Sequence, residues 1–282
     1  MPSLATLSVK VVGSDPAGVS HPTHAPQNSK TQTHRSLGPK YFEALESLCL
    51  SRGSFSLIRH LLDTIDSPCL ESIKVNPDIN YVRNEHELDL ITSSMTIITS
   101  KWSQSLKNLE IISRSRSMDG PNPFTISKFL THLMVLQEMR TFCLTGWRME
   151  NVDDDVRHLV ISWPKLRTLG LFLSGNQFIP LSTLKISAEN CPELRQLHIQ
   201  LDTSTIPPFD TSSKSLHHHL ELLTLDRFHP PFTTESKLER QILVTQHLDL
   251  IFPYLKSIGV RDVSGSEIRQ LFKLCQDSRR IM

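Results

Sequence analysis

The chain is poor in the residues that usually carry chemistry. It has only five cysteines in 282 residues, Cys49, Cys69, Cys143, Cys191 and Cys275. Their number is odd and their spacing wide, which argues against a disulfide framework. No Cys-x-x-Cys pair exists, which excludes a zinc ribbon or a dithiol redox motif of the usual spacing. No two of the ten glycines stand two apart, so there is no Gly-x-Gly-x-x-Gly dinucleotide loop. Gly170 and Gly175 have phosphate-loop spacing, but Asn176 stands where that loop needs lysine. No Gly-x-Ser-x-Gly elbow is present for a serine hydrolase. Aromatic residues make up 6% of the sequence, so any core is aliphatic.

Charge of one sign is also lacking. Lysine and arginine number 30 against 29 aspartates and glutamates. Neither nucleic acid nor an anionic membrane is expected as a partner. No apolar run approaches the roughly 20 residues of a membrane helix. The opening "MPSLATLSVKVVGSD" alternates apolar with polar residues and does not resemble a signal peptide. No Asn-x-Ser/Thr sequon occurs. These absences predict a reduced intracellular protein, cytoplasmic or nuclear, that needs no cofactor or metal and is not an enzyme.

What the sequence does have is a repeat. Aliphatic residues recur as Leu-x-x-Leu-x-Leu in nine blocks, which begin at Leu4, Leu45, Leu70, Leu106, Met139, Leu166, Leu194, Leu220 and Leu255. The gaps between block starts are 41, 25, 36, 33, 27, 28, 26 and 35 residues. Four of these fall in the 20–29 range of leucine-rich repeats. The second and third aliphatics of a block stand two apart, so in a strand both point to one face. Between blocks the apolar spacing turns helical, at 55–65, 87–102, 125–139, 152–163, 237–252 and 266–275. Strand, helix and strand in succession predict parallel strands joined by right-handed crossovers. The expected fold is α/β, a single leucine-rich-repeat solenoid over residues 1–282. It is a horseshoe of about nine irregular repeats, with strands on the concave face and helices on the convex face.

Several blocks open with a bulky residue and a proline: "WPKLRTLGL" at 163–171, "CPELRQLHI" at 191–199 and "FPYLKSIGV" at 252–260. Proline ends the helix and pushes the residue before it out of helical conformation. Trp163, Cys191 and Phe252 are expected to plug the core while the backbone turns.

Some segments break the pattern. Residues 13–40 hold four prolines and two large aliphatics, too little apolar surface to offset ordering, and are read as a disordered insertion. Segments 202–219 and 226–236 are read as loops, each carrying Pro-Pro-Phe, with Phe209 and Phe232 packed back or touching a partner. His217, His218 and His219 are read as solvated loop histidines, because consecutive side chains diverge. Asp153, Asp154 and Asp155 are expected to favour a helix N-terminus. "SRSRS" at 113–117 reads as a solvated loop. An exposed apolar edge is expected at Leu4 and Leu7.

Residues between the inward aliphatics should line the concave face. A protein partner is expected to bind at Lys74, Glu110, Thr168, Phe172, Gln196, His198, Asp226 and Arg261, with Phe172, His198, Asp226 and Arg261 as anchors. Cys191-Pro192-Glu193-Leu194 with Leu197 and Ile199 resembles the cysteine-type leucine-rich repeats of F-box proteins. The blocks at Trp163 and Phe252 resemble the repeats of large fungal families of F-box-like proteins. That resemblance spans about residues 40–275. It implies the part of a cullin-type ubiquitin ligase receptor that binds the protein to be ubiquitinated. No F-box is found ahead of the first block, so the ligase adaptor is expected as a partner only if an F-box stands upstream. The alternative is a leucine-rich-repeat scaffold or inhibitor with no ubiquitin link.

Overall fold

A computed structural model of the protein describes residues 5–10, 42–77, 85–113, 126–175, 177–206, 216, 218–229, 237–260 and 265–281. The expectations for 13–40, Leu4, Phe209, His217, Phe232, Arg261 and most of 113–117 fall outside these residues.

Each predicted block forms a strand. They are β1 (Thr6–Lys10), β2 (Ser47–Ser51), β3 (Ser72–Asn76), β4 (Asn108–Ile112), β5 (Thr141–Thr145), β6 (Thr168–Phe172), β8 (Gln196–Asp202), β9 (Leu222–His229) and β10 (Ser257–Val260). A short strand not expected from the sequence, β7 (Ile179–Pro180), pairs with β8. The ten strands make one parallel sheet in sequence order, with β7 off the main path. Among the described residues, seven helices complete an α/β fold: α1 (Phe55–Thr64), α2 (Glu85–Trp102), α3 (Ser127–Leu133), α4 (Val152–Ser162), α5 (Leu181–Asn190), α6 (Lys237–Ile251) and α7 (Gly265–Ile281).

The register explains the repeat. The second aliphatics pair across the sheet from Leu48 through Ile73, Leu109, Phe142, Leu169, Leu197 and Leu223 to Ile258, and all are buried. The residues between them are mostly half-buried, so one face of the sheet is covered by helices and the other is open. Leu7 and Val9 on β1 are partly buried against the core rather than fully exposed.

The turn before five of the strands is built the same way. The first aliphatic donates its N–H to a carbonyl three residues back: Leu70 to Ser67, Met139 to Leu136, Leu166 to Trp163, Leu194 to Cys191 and Leu255 to Phe252, at 3.0 to 3.3 Å. The carbonyl-bearing residue is buried each time and fills the space at the helix end. Trp102 stands at the equivalent point ahead of Leu106, whose N–H it accepts at 2.9 Å. Several of these plugs also reach the preceding repeat. Trp102 Nε1 donates to Ser67 O at 2.8 Å, Trp163 Nε1 to Leu133 O at 3.3 Å, and Cys191 Sγ to Val160 O at 3.3 Å. The plugs therefore tie neighbouring repeats by polar as well as apolar contact, and satisfy carbonyls at helix ends. Lys101 adds to this, donating to Asp63 O at 2.5 Å and Ile65 O at 2.9 Å at the C-terminus of α1.

The helices depart from expectation at three places. The expected 125–139 helix ends at Leu133, because Leu136 must leave helical geometry to serve as the plug for Met139. α7 runs to Ile281, well past the expected 275, and Arg279 on it donates to Pro253 O at 2.6 Å while pairing with Asp249 at 3.0 Å. α5 has no counterpart in the apolar spacing of the sequence. Its buried face includes Thr183 and Ser187, so its helical signal is weak. Their hydroxyls bond Asp153 and Thr183 O respectively, which removes the penalty of burying them unpaired. Among the described residues, no helix is long and apolar enough to cross a membrane.

Candidate recognition site

The open face of the sheet carries parallel rows of side chains, one residue per strand. The row nearest the strand starts is Thr6, Ser47, Ser72, Asn108, Thr141, Thr168, Gln196, Leu222 and Ser257. It is short and polar almost throughout. The middle row is Ser8, Cys49, Lys74, Glu110, Cys143, Gly170, His198, Thr224 and Gly259. Lys74 and Glu110 are direct cross-strand partners and form an ion pair. A Cβ at Gly170 would lie 2.9 Å from Cys143 Sγ, so a larger residue there requires the Cys143 side chain to shift. Burial, and then the Glu110 charge, push the Cys143 thiol up to about 11, so it is no nucleophile at neutral pH.

At the C-terminal ends of β5, β6, β8 and β9 the face opens into a cleft of about 510 Å3. It is lined by Thr145, Gly146, Phe172, Leu173, Ser174, Gly175, Gln200, Asp226 and Arg227. The Phe172 ring lies beside His198, with centroids 6.1 Å apart. Gly146 has φ +78°, and a Cβ there would overlap Ser113 O, so no other residue fits without moving backbone.

A bulge shapes this cleft. Ile199 pairs with Leu225, but Leu201 pairs with Phe228, so Asp226 and Arg227 on β9 face the single residue Gln200 on β8. The extra residue turns Arg227 from the core side, where a regular strand would send it, to the open side. Gln200 is 2% exposed and fully bonded. In the amide orientation that satisfies both its ends, it donates to Leu173 O at 3.1 Å and Gln177 O at 3.0 Å. Its oxygen then accepts from Arg227 Nη2 at 3.0 Å. Asp226 Oδ2 lies 3.9 Å from Arg227 Nε. Gln177 is fixed in turn, bonding both Met149 N (2.8 Å) and Met149 O (2.5 Å). A series of bonds thus runs from Met149, in the segment after β5, to the arginine on β9.

Among the residues expected to bind a partner, the structure brings Phe172, His198 and Asp226 to the cleft and its rim. Thr168 and Gln196 are cross-strand partners at the other end of the strands. Lys74 and Glu110 lie on β3 and β4, three and two strands from Phe172 on β6, or about 10–15 Å by strand spacing. Arg261 falls outside the described residues. Strand alternation sends Gln200 to the open face, yet the residue is buried. Arg227, Thr145 and Ser174 were not anticipated. The signal for Arg227 is in the sequence: buried Leu223, Leu225 and Phe228 are spaced two and then three apart. The segment beginning at 226 is therefore strand up to His229, not loop.

No protein-family model matches this protein, and no curated protein does. The three aspartates stand in the first turn of α4, as expected, and they, like His218 and His219, also have specific partners. His218 is buried rather than solvated; its Nε2 lies 2.9 Å from Cys191 O and its ring meets Phe252 edge-on at 5.5 Å. It continues the series of plugs. His219 is exposed and stacks on Tyr254 at 4.6 Å. The aspartates at the start of α4 bond neighbouring helices: Asp153 accepts from Thr183 on α5, and Asp155 from Ser127 on α3 at 2.5 Å. Asp154 alone bonds locally, accepting from Asn151 at 2.5 Å.

Burial holds the His218 imidazole below its ordinary pKa, against the opposing pull of the Cys191 carbonyl, with His219 and Arg195 adding like-charge repulsion. A depressed pKa means the unfolded state takes up the proton more readily. Stability is then fully present above about pH 6.5 and falls as pH drops below it. Urea midpoints at about pH 7.5 and 5.5 are expected to fall further in the parent than in His218→Gln. Parallel changes in both proteins would show that His218 does not titrate with folding.

Proposed function

We propose that this protein is a non-enzymatic protein-recognition module built as a leucine-rich-repeat horseshoe. Its open sheet face is concave, its helices are convex, and the face with its C-terminal cleft is the binding surface. The observation that carries this reading is the unbroken, sequence-ordered parallel sheet with one side covered by helices and the other lined by short polar side chains. Such a face offers a wide, wet surface with few anchors, as protein-binding surfaces do. The repeats resemble those of F-box receptors, which supports a role in presenting a substrate to a cullin-type ubiquitin ligase. The ligase adaptor is a partner only with an F-box supplied upstream.

The test is co-purification of the tagged protein from its own cells, read by quantitative mass spectrometry. Recovery of the adaptor and the cullin is expected for a ligase receptor. Recovery of a stable partner without them would make it a scaffold or inhibitor. Recovery of neither would sink the recognition reading.

A further inference from the structure

We infer that the cleft at the C-terminal end of the sheet recognises a carboxylate of the partner, held on the Arg227 guanidinium, with an apolar flank against Phe172. This deepens the recognition reading and rests on it. Three observations converge on Arg227. First, the β8–β9 bulge exists at the cleft and nowhere else in the described main path of strands, and it turns Arg227 outward. Bulges commonly re-aim a side chain at a functional site. Second, the arginine is held from behind. Gln200, buried and clamped by the Leu173 and Gln177 carbonyls, presents its oxygen to Nη2, while Asp226 stands on the Nε side. Third, exposure separates the two charges: the Asp226 side chain is 19% exposed and that of Arg227 is 56%. The group offered to solvent is the cation, and the carboxylate lies behind it.

A guanidinium held by one hydrogen bond, with a carboxylate nearby on its Nε side, loses less freedom when a ligand binds its open edge, and its planar donors match a carboxylate. Thr145 and Ser174, whose side chains carry hydroxyl donors, also line the cleft. A partner carboxylate comes from two sources, an acidic side group or the free end of a polypeptide, and the chemistry is shared.

The experiment uses ligand-observed NMR on the full-length protein with small probes. N-acetyl-glutamate α-methylamide represents the acidic side group, and N-acetyl-glycyl-leucine the free end. N-acetyl-leucine methylamide and N-acetyl-lysine methylamide are the neutral and cationic controls. Saturable binding of one or both carboxylates is expected, with the better binder identifying the source. Arg227→Gln should weaken it about tenfold or more, and Arg227→Lys should recover only part, because the fork is lost. Gln200→Met should weaken it less, with folding checked by circular dichroism. Binding unchanged in Arg227→Gln, preference for the lysine probe, or no binding of either carboxylate would each overturn the inference. If the carboxylates fail while a partner still co-purifies, only the inference about the cleft falls and the recognition reading stands.

Discussion

Trp163→Ala is expected to cost about 3–5 kcal/mol of stability, among the largest effects of any single change in the protein. Trp163 is fully buried between α4 and β6. Its ring meets Phe142 at 4.9 Å, and its Nε1 satisfies Leu133 O in the preceding repeat. Truncation would empty the volume, strand that carbonyl and weaken one interface in the middle of the stack. In a linear array, stability is close to a sum of repeat and interface contributions, so loss at the centre also threatens cooperativity. Urea unfolding followed by circular dichroism measures both, the second as a lower slope. Trp163→Phe keeps most of the packing and should cost about half as much or less. A cost for Trp163→Ala below about 1 kcal/mol would mean the plugs do not hold the repeats together.

Gly146→Ala is the second large effect. The residue has φ +78°, and the added Cβ would overlap Ser113 O. The left-handed conformation alone costs about 1–2 kcal/mol in an L-residue. Relieving the clash must also stretch the bonds from Ser113 N to Thr145 O and from Gly146 N to Phe172 O, each 2.7 Å. A total of about 2–4 kcal/mol is expected. Gly175→Ala is the control. Its φ is +67°, but nothing lies within 4 Å of the added carbon, so only the conformational cost of about 1–2 kcal/mol remains. Equal melting temperatures for the two variants would show that the Ser113 contact does not constrain the cleft.

These two residues mark the limits of what the sequence reveals. The strands and their register are legible because inward aliphatics at a period of two recur in block after block. Trp163 is legible as a plug because proline follows it. Gly146 carries no such sign, since the demand on it comes from Ser113, 33 positions earlier in the sequence. α5 is hidden because Thr183 and Ser187 occupy buried positions that periodicity assigns to apolar residues. His218 is hidden by its neighbours, as three consecutive histidines look solvated until one of them takes the plug's place against Cys191 and Phe252. At the cleft, Phe172 and Asp226 follow from alternation, whereas Arg227 requires the bulge. The gap of three between Leu225 and Phe228 announces that bulge to a reader who carries the inward pattern past the end of the block.

The proposal that the sheet face seats a protein partner is open to direct measurement by site-specific photocrosslinking in the protein's own cells. A benzophenone group would be placed at Thr168 or His198 on the open face, and at Arg157 or Lys185 on the exposed sides of α4 and α5. The same partner is expected to crosslink from Thr168 and His198 and not from Arg157 or Lys185. Crosslinks confined to the helix positions, or absent from all four, would contradict recognition by the sheet.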